Sequence, residues 1–346
     1  MRPDLATYMR ESLPCLLVGP PGCAKTARVR AAAEAAGRRL ITRRASLCER
    51  VDFAGCMVPD HDAGITRALP LDLLHDLRRT TEPTLLFLDD LGQAPQDVQA
   101  ACMLLFDEGE LSEHVLIWGA TNRPGDKAGV SALCEPLRSR FALAFAVPVA
   151  GTEDRPDGAV MLGDWAGEVE GWCDWALDHD AAPEIVAWHR STTGRTLYQW
   201  RPHADPGVRM ADYRSWHTVM RLWMAGRHDL TSIAAAIGKP AAAEFLAFAS
   251  LADQLPTPDQ VVMDPDGAPV PVDPAPLYLC ASMMGAAMTP STVRPMLRYL
   301  TRLPRVFGAL MGRDAYRRLG ARLSGTREWS EWWTANRQLF ELGGES

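Results

Sequence analysis

Lysine is scarce in this chain of 346 residues: arginine supplies 33 of the 36 basic side chains, and lysine supplies only three. This bias accompanies heavy use of Ala, Gly and Pro, and it indicates a GC-rich genome rather than a function. The basic residues are also outnumbered by 43 acidic ones, which gives a net charge of −7. A chain with this charge has no long-range attraction for nucleic acid or anionic lipid, so any such binding must be local.

Paired cysteines and long apolar runs are missing as well. The eight cysteines form no CxxC pair and no His-Cys cluster at zinc-ligand spacing, which argues against a disulfide scaffold and a zinc finger. The longest apolar stretches, at 85–88 and 277–288, fall short of the ~20 residues of a transmembrane helix, and residues 1–20 lack the features of a signal peptide. We therefore expect a cytoplasmic protein with reduced thiols that neither spans a membrane nor is exported.

The first part of the chain alternates between strand and helix signals. Apolar runs bounded by turn residues occur at 15–18, 85–88, 115–118 and 142–147, and helix-forming stretches lie at 26–36 and 97–109. This alternation predicts an α/β fold over residues 14–150, with a parallel sheet that carries helices on both faces.

The second part of the chain has a helical pattern. From about residue 151 the strand signal fades, and apolar residues recur at helical spacing at 170–179, 213–225, 241–252 and 292–303. Ten of the eleven tryptophans lie in this part, where we expect them to fill gaps between short helices. A stretch rich in Pro and Gly at 264–276 predicts a connector before the last helical segment.

A phosphate-binding loop is predicted directly after the first strand. Residues 19–26 read GPPGCAKT, and they follow CLLV and precede a helix-forming run, as such a loop requires. The candidate nucleotide-binding residues are Gly19, Pro20, Pro21, Gly22, Cys23, Ala24, Lys25 and Thr26. Main-chain N–H groups can surround a polyphosphate, the Lys25 ammonium can reach the β and γ phosphates, and the Thr26 hydroxyl can bind Mg²⁺. Ala24 stands where Gly is usual, and its methyl group is tolerable if φ stays negative. The alternative is an ordinary strand-to-helix turn that contains Lys-Thr.

Two carboxylates follow the apolar run at 85–88, in the segment LLFLDD. A buried parallel strand would deliver them to the carboxyl edge of the sheet, beside the phosphate loop. Asp89 is then placed to hold Mg²⁺, and Asp90 to orient or deprotonate the attacking water. A strand that merely ends in acidic turn residues is the alternative, and the phosphate loop upstream disfavours it.

Further polar residues follow the later strands. GATNRP at 119–124 places Asn122 at the same edge, where its amide can position the water that attacks the nucleotide. EPLRSRFALAF at 135–145 offers Arg138 and Arg140 just before the last strand. From the residues alone, each of these arginines could equally be a solvated surface side chain.

In this order and spacing, GPPGCAKT, LLFLDD, ATNRP and LRSRF resemble the Walker A, Walker B, sensor 1 and arginine-finger motifs of the AAA+ ATPases. Ala before the lysine and RASLCERVDFAG at 44–55 look like the MoxR branch. YRSW at 213–216, IGKPAAAEFLAF at 237–248 and the closing WSEWW region are similar to MoxR-like ATPases of phages and actinobacteria.

The resemblance implies a role for each matching residue. Catalysis would use Asp90, Asn122 as sensor 1, Arg140 as a finger offered to a neighbouring subunit, and Arg214 as sensor 2; Thr26 and Asp89 would hold Mg²⁺. It also implies an α/β nucleotide domain at 1–150, a helical lid at 151–256, and a Pro-rich connector with a helical extension at 257–346. The chain would bind ATP and Mg²⁺ in a homo-oligomeric ring, which we expect to be a hexamer. It would remodel a protein client such as a von Willebrand factor A protein.

Two departures from the family pattern leave alternatives open. Asp90 replaces the usual Glu. This replacement favours a rival function, that of a nucleotide-gated scaffold with weak or no hydrolysis. Tyr213 stands where Pro is usual, next to Arg214. A second rival is a DNA-acting motor of a phage or defence system, because eight arginines lie in 294–322 and those at 294, 298, 302 and 305 would form one basic helix face. Cys23 could be an oxidation-sensitive thiol or an inert small side chain.

Overall fold

The computed structural model describes residues 5–126, 133–149, 160–162, 165–201 and 208–336. The chain divides into two compact units. The N-terminal unit spans 2–164 and includes 200–204, and the C-terminal unit spans 165–199 and 205–346.

The N-terminal unit is built on five parallel strands and a separate hairpin. The strands in chain order are β1 (Cys15–Val18), β2 (Arg39–Arg44), β3 (Cys56–Asp60), β4 (Ile65–Leu69), β5 (Thr84–Asp89), β6 (Val115–Thr121) and β7 (Leu143–Ala146). Strands β3 and β4 form the antiparallel hairpin, and the parallel sheet has the order β2-β5-β6-β1-β7. The helices of this unit are α1 (Leu5–Arg10), α2 (Lys25–Ala35), α3 (Arg50–Ala54), α4 (Asp72–Arg79), α5 (Gln96–Leu104) and α6 (Glu135–Arg138).

Strand β5 lies between β2 and β6, and all six of its residues are buried. Its unbroken apolar run is typical of a parallel strand covered by helices on both faces. The predicted α/β fold with a parallel sheet is therefore confirmed.

Close packing around β6 requires glycine at position 119. A Cβ at this position would lie 2.6 Å from Leu91 Cδ1 and 2.8 Å from Phe141 Cζ. Only a residue without a side chain allows these two groups to approach the strand so closely.

The C-terminal unit is helical, as predicted. Its helices are α7 (Trp165–Asp178), α8 (Pro183–Ser191), α9 (Tyr213–Met224), α10 (Leu230–Ile237), α11 (Lys239–Ala249), α12 (Pro258–Met263), α13 (Pro274–Ala287), α14 (Val293–Leu300), α15 (Arg305–Leu319), α16 (Ala321–Ser324) and α17 (Arg327–Asn336). Aromatic rings fill the gaps between them: Trp216 is fully buried and packs edge to face on Phe245. The predicted lid (151–256) and extension (257–346) both contribute to this unit, in which α13 packs on both α8 and α15.

The basic helix face predicted from positions 294, 298, 302 and 305 is wrong. Helix α14 ends at Leu300, and α15 begins at Arg305 after Pro304. Proline cannot continue a preceding helix. Positions 294 and 298 therefore lie in α14, position 302 lies in the turn, and position 305 begins α15. Arg298 is paired with Asp266, and Arg302 donates to the main-chain oxygen of Pro265.

Other arginines of the 294–322 segment are paired with acidic residues of α7. Arg313 contacts Glu170 at 2.5 Å, and Arg317 contacts Asp178 at 2.5 Å. These side chains therefore join helices within the unit.

In the part of the chain that the structure describes, no helix is both long enough and apolar enough to cross a bilayer.

Candidate nucleotide site

Lys25 lies where the loop after β1 enters α2, and its side chain is buried. Its Nζ donates to the main-chain oxygens of Gly19 (2.8 Å) and Pro20 (3.0 Å) and to Oδ1 of Asn122 (2.7 Å). All three acceptors are uncharged oxygens, so they hold the ammonium in place without supplying a counter-charge. Such a group is suited to an incoming phosphate.

The condition under which the methyl group of Ala24 was expected to be tolerable, a negative φ, is not met. Ala24 has φ 64° and ψ 26°, and Gly22 of the same loop has φ 74°. The loop must turn sharply to start α2 at Lys25, and the left-handed conformation provides that turn. A left-handed residue in such a loop also helps to form a concavity of N–H groups that binds anions. For Ala the conformation costs about 1–2 kcal/mol.

Cys23 belongs to the same loop and is buried. Its Sγ lies 3.8 Å from Lys25 Nζ. A Cβ on Gly19 would come within 3.0 Å of this sulfur, so the loop is closely packed around it.

Thr26 and Asp89 form a direct contact across the sheet edge. Thr26 Oγ1 donates to Asp89 Oδ2 at 2.6 Å, and the other carboxylate oxygen accepts the N–H of Asp90 at 3.1 Å. Hydroxyl and carboxylate oxygens are the ligands that Mg²⁺ prefers, and this ion is usually held by one or two carboxylates together with phosphate. No group of three or more His, Cys, Asp or Glu side chains with metal-ligand geometry occurs among the described residues. The Thr26–Asp89 pair fits a magnesium ion that also binds phosphate.

Asp90 is partly buried and has φ 58° and ψ 35°. It directly follows β5 and precedes the short 3-10 turn Leu91–Gln93. Aspartate adopts the left-handed conformation more readily than most residues, because its short polar side chain can hydrogen-bond locally. The left-handed backbone at position 90 is therefore a physical reason for aspartate at this position.

Asn122 is buried and follows the last residue of β6. The strand end connects the two loops of the site: Thr121 O accepts the N–H of Gly19 at 3.2 Å, and Thr121 Oγ1 accepts the N–H of Gly92 at 3.2 Å. Lys25, Thr26, Asp89 and Asn122 are thus brought together at one edge of the sheet, with Asp90 adjacent.

Arg140 lies in the turn between α6 and β7 and is not part of this cluster. Its Nη1 is 3.0 Å from Oδ1 of Asp107, and the two side chains are 35% and 46% exposed. Arg138 pairs instead with Glu135 of its own helix at 2.7 Å.

Arg214 is exposed and is the second residue of α9, in the C-terminal unit. Asp212 caps the helix by accepting the N–H of Ser215 at 2.6 Å. Tyr213 occupies the first helical position, which is where proline is best tolerated. The helix therefore starts with Tyr213 where it would start with proline, and the sensor 2 role of Arg214 stays a prediction.

Sequence reasoning missed two residues that matter to the site. Thr121 directly precedes Asn122, so a polar pair at the end of a predicted strand was a usable signal. Asp107 lies in an acidic turn after α5 and gave no local signal, because its contact with Arg140 depends on tertiary structure.

A family model matches the first part of the chain. Residues 15–149 match the model of the family described as "ATPase family associated with various cellular activities (AAA)". The match covers less than half of the chain.

The similar proteins are distant over the whole chain. A curated mitochondrial sorting homolog of Caenorhabditis elegans is 30% identical over 152 residues, which cover 40% of this chain and 40% of that protein. The solved RuvB Holliday junction branch migration motor of Thermotoga maritima is 16% identical, with 70% of this chain and 65% of that chain covered and a TM-score of 0.38. NtrX of Brucella abortus in complex with ADP is 16% identical, with 98% and 66% covered and a TM-score of 0.38.

Proposed function

We propose that this protein is a Mg²⁺-dependent ATPase of the AAA+ type, related to the MoxR-like branch. The observation that carries the proposal is the buried Lys25 ammonium held against Asn122 at 2.7 Å, beside the Thr26–Asp89 contact at 2.6 Å. A cation, a magnesium-type oxygen pair and an amide converge at one sheet edge within the AAA domain. This is the set of groups that phosphoryl transfer requires.

The residues divide the work as follows. Lys25 and the N–H groups of the loop bind and orient the phosphates, while Thr26 and Asp89 would hold the ion. ATP with Mg²⁺ supplies the phosphoanhydride bond and the divalent charge that neutralises it. Asp90 orients or accepts a proton from the attacking water, and Asn122 positions that water.

The remaining roles concern assembly. Arg140 would be offered to ATP on a neighbouring subunit of a homo-oligomeric ring, such as a hexamer, and Arg214 would act from the helical lid. Movement of the lid and subunits would then remodel a protein client, for which a von Willebrand factor A protein is the candidate. These steps rest on the resemblance of LRSRF and YRSW to the family motifs.

The test of the nucleotide site is Lys25→Ala, with Lys239→Ala as its control. Lys239 is exposed and also begins a helix, α11, so the control removes a lysine of the same helical position away from the site. We expect Lys25→Ala to weaken ATP binding by about 100-fold or more, since it deletes the charge that faces the phosphates. Titration with a fluorescent ATP analogue measures this, and thermal melting checks that the variant folds. Unchanged affinity in a folded variant would exclude the assignment.

A nucleotide-gated scaffold is the second candidate function, and Asp90 is the observation that favours it. Its carboxylate is one methylene shorter than the usual glutamate and is fixed in a left-handed backbone conformation. If reach limits hydrolysis, Asp90→Glu should raise phosphate release by about tenfold, which corresponds to ~1.4 kcal/mol of barrier. A lower rate would mean that the aspartate already fits, and no release from either protein would favour the scaffold. The hypothesis of a DNA-acting motor was based on a single basic helix face, and this face does not form.

A further inference from the structure

The ion pair between Arg140 and Asp107 joins two turns that are distant in sequence. Asp107 follows α5 by three residues, and Arg140 follows α6 by two. Nη1 of Arg140 lies 3.0 Å from Oδ1 of Asp107. A guanidinium has five N–H donors in a fixed fork, so a single carboxylate leaves donors for another anion.

The residues next to this pair are tightly packed. Phe106 and Phe141 meet with ring centroids 5.2 Å apart and planes at 79°, and Phe141 is only 7% exposed. Because Phe106 precedes Asp107 and Phe141 follows Arg140, the aromatic pair holds both main chains at the ion pair. The position of the carboxylate relative to the guanidinium is therefore set by the fold.

Arg138 offers a comparison two residues away. It pairs with Glu135, three residues earlier in α6, and both side chains are more exposed, at 60% and 71%. That pair joins two positions of one helix and gives its arginine no tie to a second element. Arg140, in contrast, is held against a turn that follows α5.

We propose that Asp107 is a positioning residue that holds the Arg140 guanidinium in the orientation needed to reach phosphate bound to a neighbouring subunit. The proposal rests on the proposed function, in which Arg140 acts as the finger. An exposed ion pair adds little to stability, but it removes most of the rotamers of a long side chain. Asp107 therefore affects the rate of hydrolysis and leaves ATP binding by its own subunit unchanged.

The experiment measures kcat and KM for ATP in the full chain with Asp107→Asn, Arg140→Ala and the double variant. Glu135→Gln is the matched control, since it removes the carboxylate partner of Arg138. We expect Asp107→Asn to lower kcat by about tenfold with KM within twofold, because a misplaced catalytic group costs rate. Glu135→Gln should leave kcat within twofold. In the Arg140→Ala background, Asp107→Asn should have no further effect.

Several results would overturn the proposal. A kcat that is unchanged or raised by Asp107→Asn means that the carboxylate is irrelevant or competes with phosphate for the arginine. An equal fall with and without Arg140 means that Asp107 acts only on the fold. If Arg140→Ala keeps full activity while Lys25→Ala abolishes it, the finger and its positioning both fail and the ATPase assignment stands. If the unaltered protein releases no phosphate, the proposed function fails as well.

Discussion

His189 should make the C-terminal unit sensitive to mild acid. The side chain is fully buried in α8, between Trp172 at 4.7 Å and Trp216 at 4.2 Å, and both ring pairs meet edge to face. Neither ring nitrogen has a hydrogen-bond partner among the residues that the structure describes. Burial in these surroundings lowers the pKa of His189 to about 3 from its usual 6.5.

The expected loss of stability follows from the two pKa values. Below pH 6.5 the unfolded chain takes up a proton at this position, and the native state does not until about pH 3. The contribution of the neutral His189 to the free energy of unfolding is therefore fully present above pH 6.5 and is lost as the pH falls toward 3. Each pH unit in this window is worth ~1.4 kcal/mol, so at pH 5 the loss is about 2 kcal/mol.

Other titrating groups of the unit contribute as well: burial and Arg221 lower the pKa of His217, and burial raises the pKa of Asp174. The pKa of Glu170 is lowered, as burial, which would raise it, is outweighed by Arg190 and Arg313. This carboxylate loses its contribution only as the pH falls below its usual range near 4.5. The effect of His189 is therefore isolated by comparing the pH dependence of a variant that lacks this imidazole with that of the unaltered protein.

The assay is urea unfolding of the full chain at both pH values, followed by tryptophan fluorescence, which reports on the rings around His189. His189→Phe keeps a ring in the cavity and removes the titration, and His228→Phe alters an exposed histidine of the same unit. We expect His189→Phe to lose about 2 kcal/mol of the difference in unfolding free energy between the two pH values, and His228→Phe to keep it. An equal pH dependence in His189→Phe and the unaltered protein would refute the argument.

Three further tests concern the loop backbone, a buried ion pair and the packing of a strand. Ala24→Gly should raise the free energy of unfolding by about 1 kcal/mol, because glycine adopts φ 64° without the Cβ penalty; a lower melting temperature would contradict this. Arg190→Leu alone should cost ~3–5 kcal/mol, because it leaves Asp314 buried without the partner that it contacts at 2.6 Å, and adding Asp314→Leu should recover much of the loss. Additive losses in that cycle would exclude a coupled pair. Gly119→Ala should cost ~1–3 kcal/mol through overpacking against Leu91 and Phe141, and an unchanged denaturation midpoint would show that these groups can move.

The part of the site that could be predicted from sequence is the part that a single sheet edge creates. Lys25, Asp89 and Asn122 each follow an apolar run, and the carboxyl ends of parallel strands meet at one edge. In the structure Arg44 pairs with Asp89 and Val18 pairs with Thr121 across neighbouring strands, so the register brings the strand ends together. Local sequence is sufficient here because strand direction alone fixes the placement.

The features that escaped prediction depend on contacts between distant segments or on backbone angles. The spacing of basic residues at 294–305 fits one helix, and Pro304 divides it into two. The partner of Arg140 lies 33 positions away, in a turn with no distinguishing pattern. The hairpin of β3 and β4 is largely exposed, so its residues carry no alternation of apolar and polar types from which a strand could be predicted.

Backbone strain at the site has a common origin at two positions. The described residues include five non-glycine positions with positive φ. Two of them, Ala24 and Asp90, lie in the loops at the sheet edge. In each case the chain must leave the strand edge and start a helical turn within a few residues, at Lys25 or at Leu91. Such conformations persist only where the surrounding contacts overdetermine them. At Ala24 those contacts are the hydrogen bonds of Lys25, the next residue, to Gly19, Pro20 and Asn122. The strain therefore falls on the residue whose geometry places the ammonium, which is where a phosphate site needs a fixed backbone.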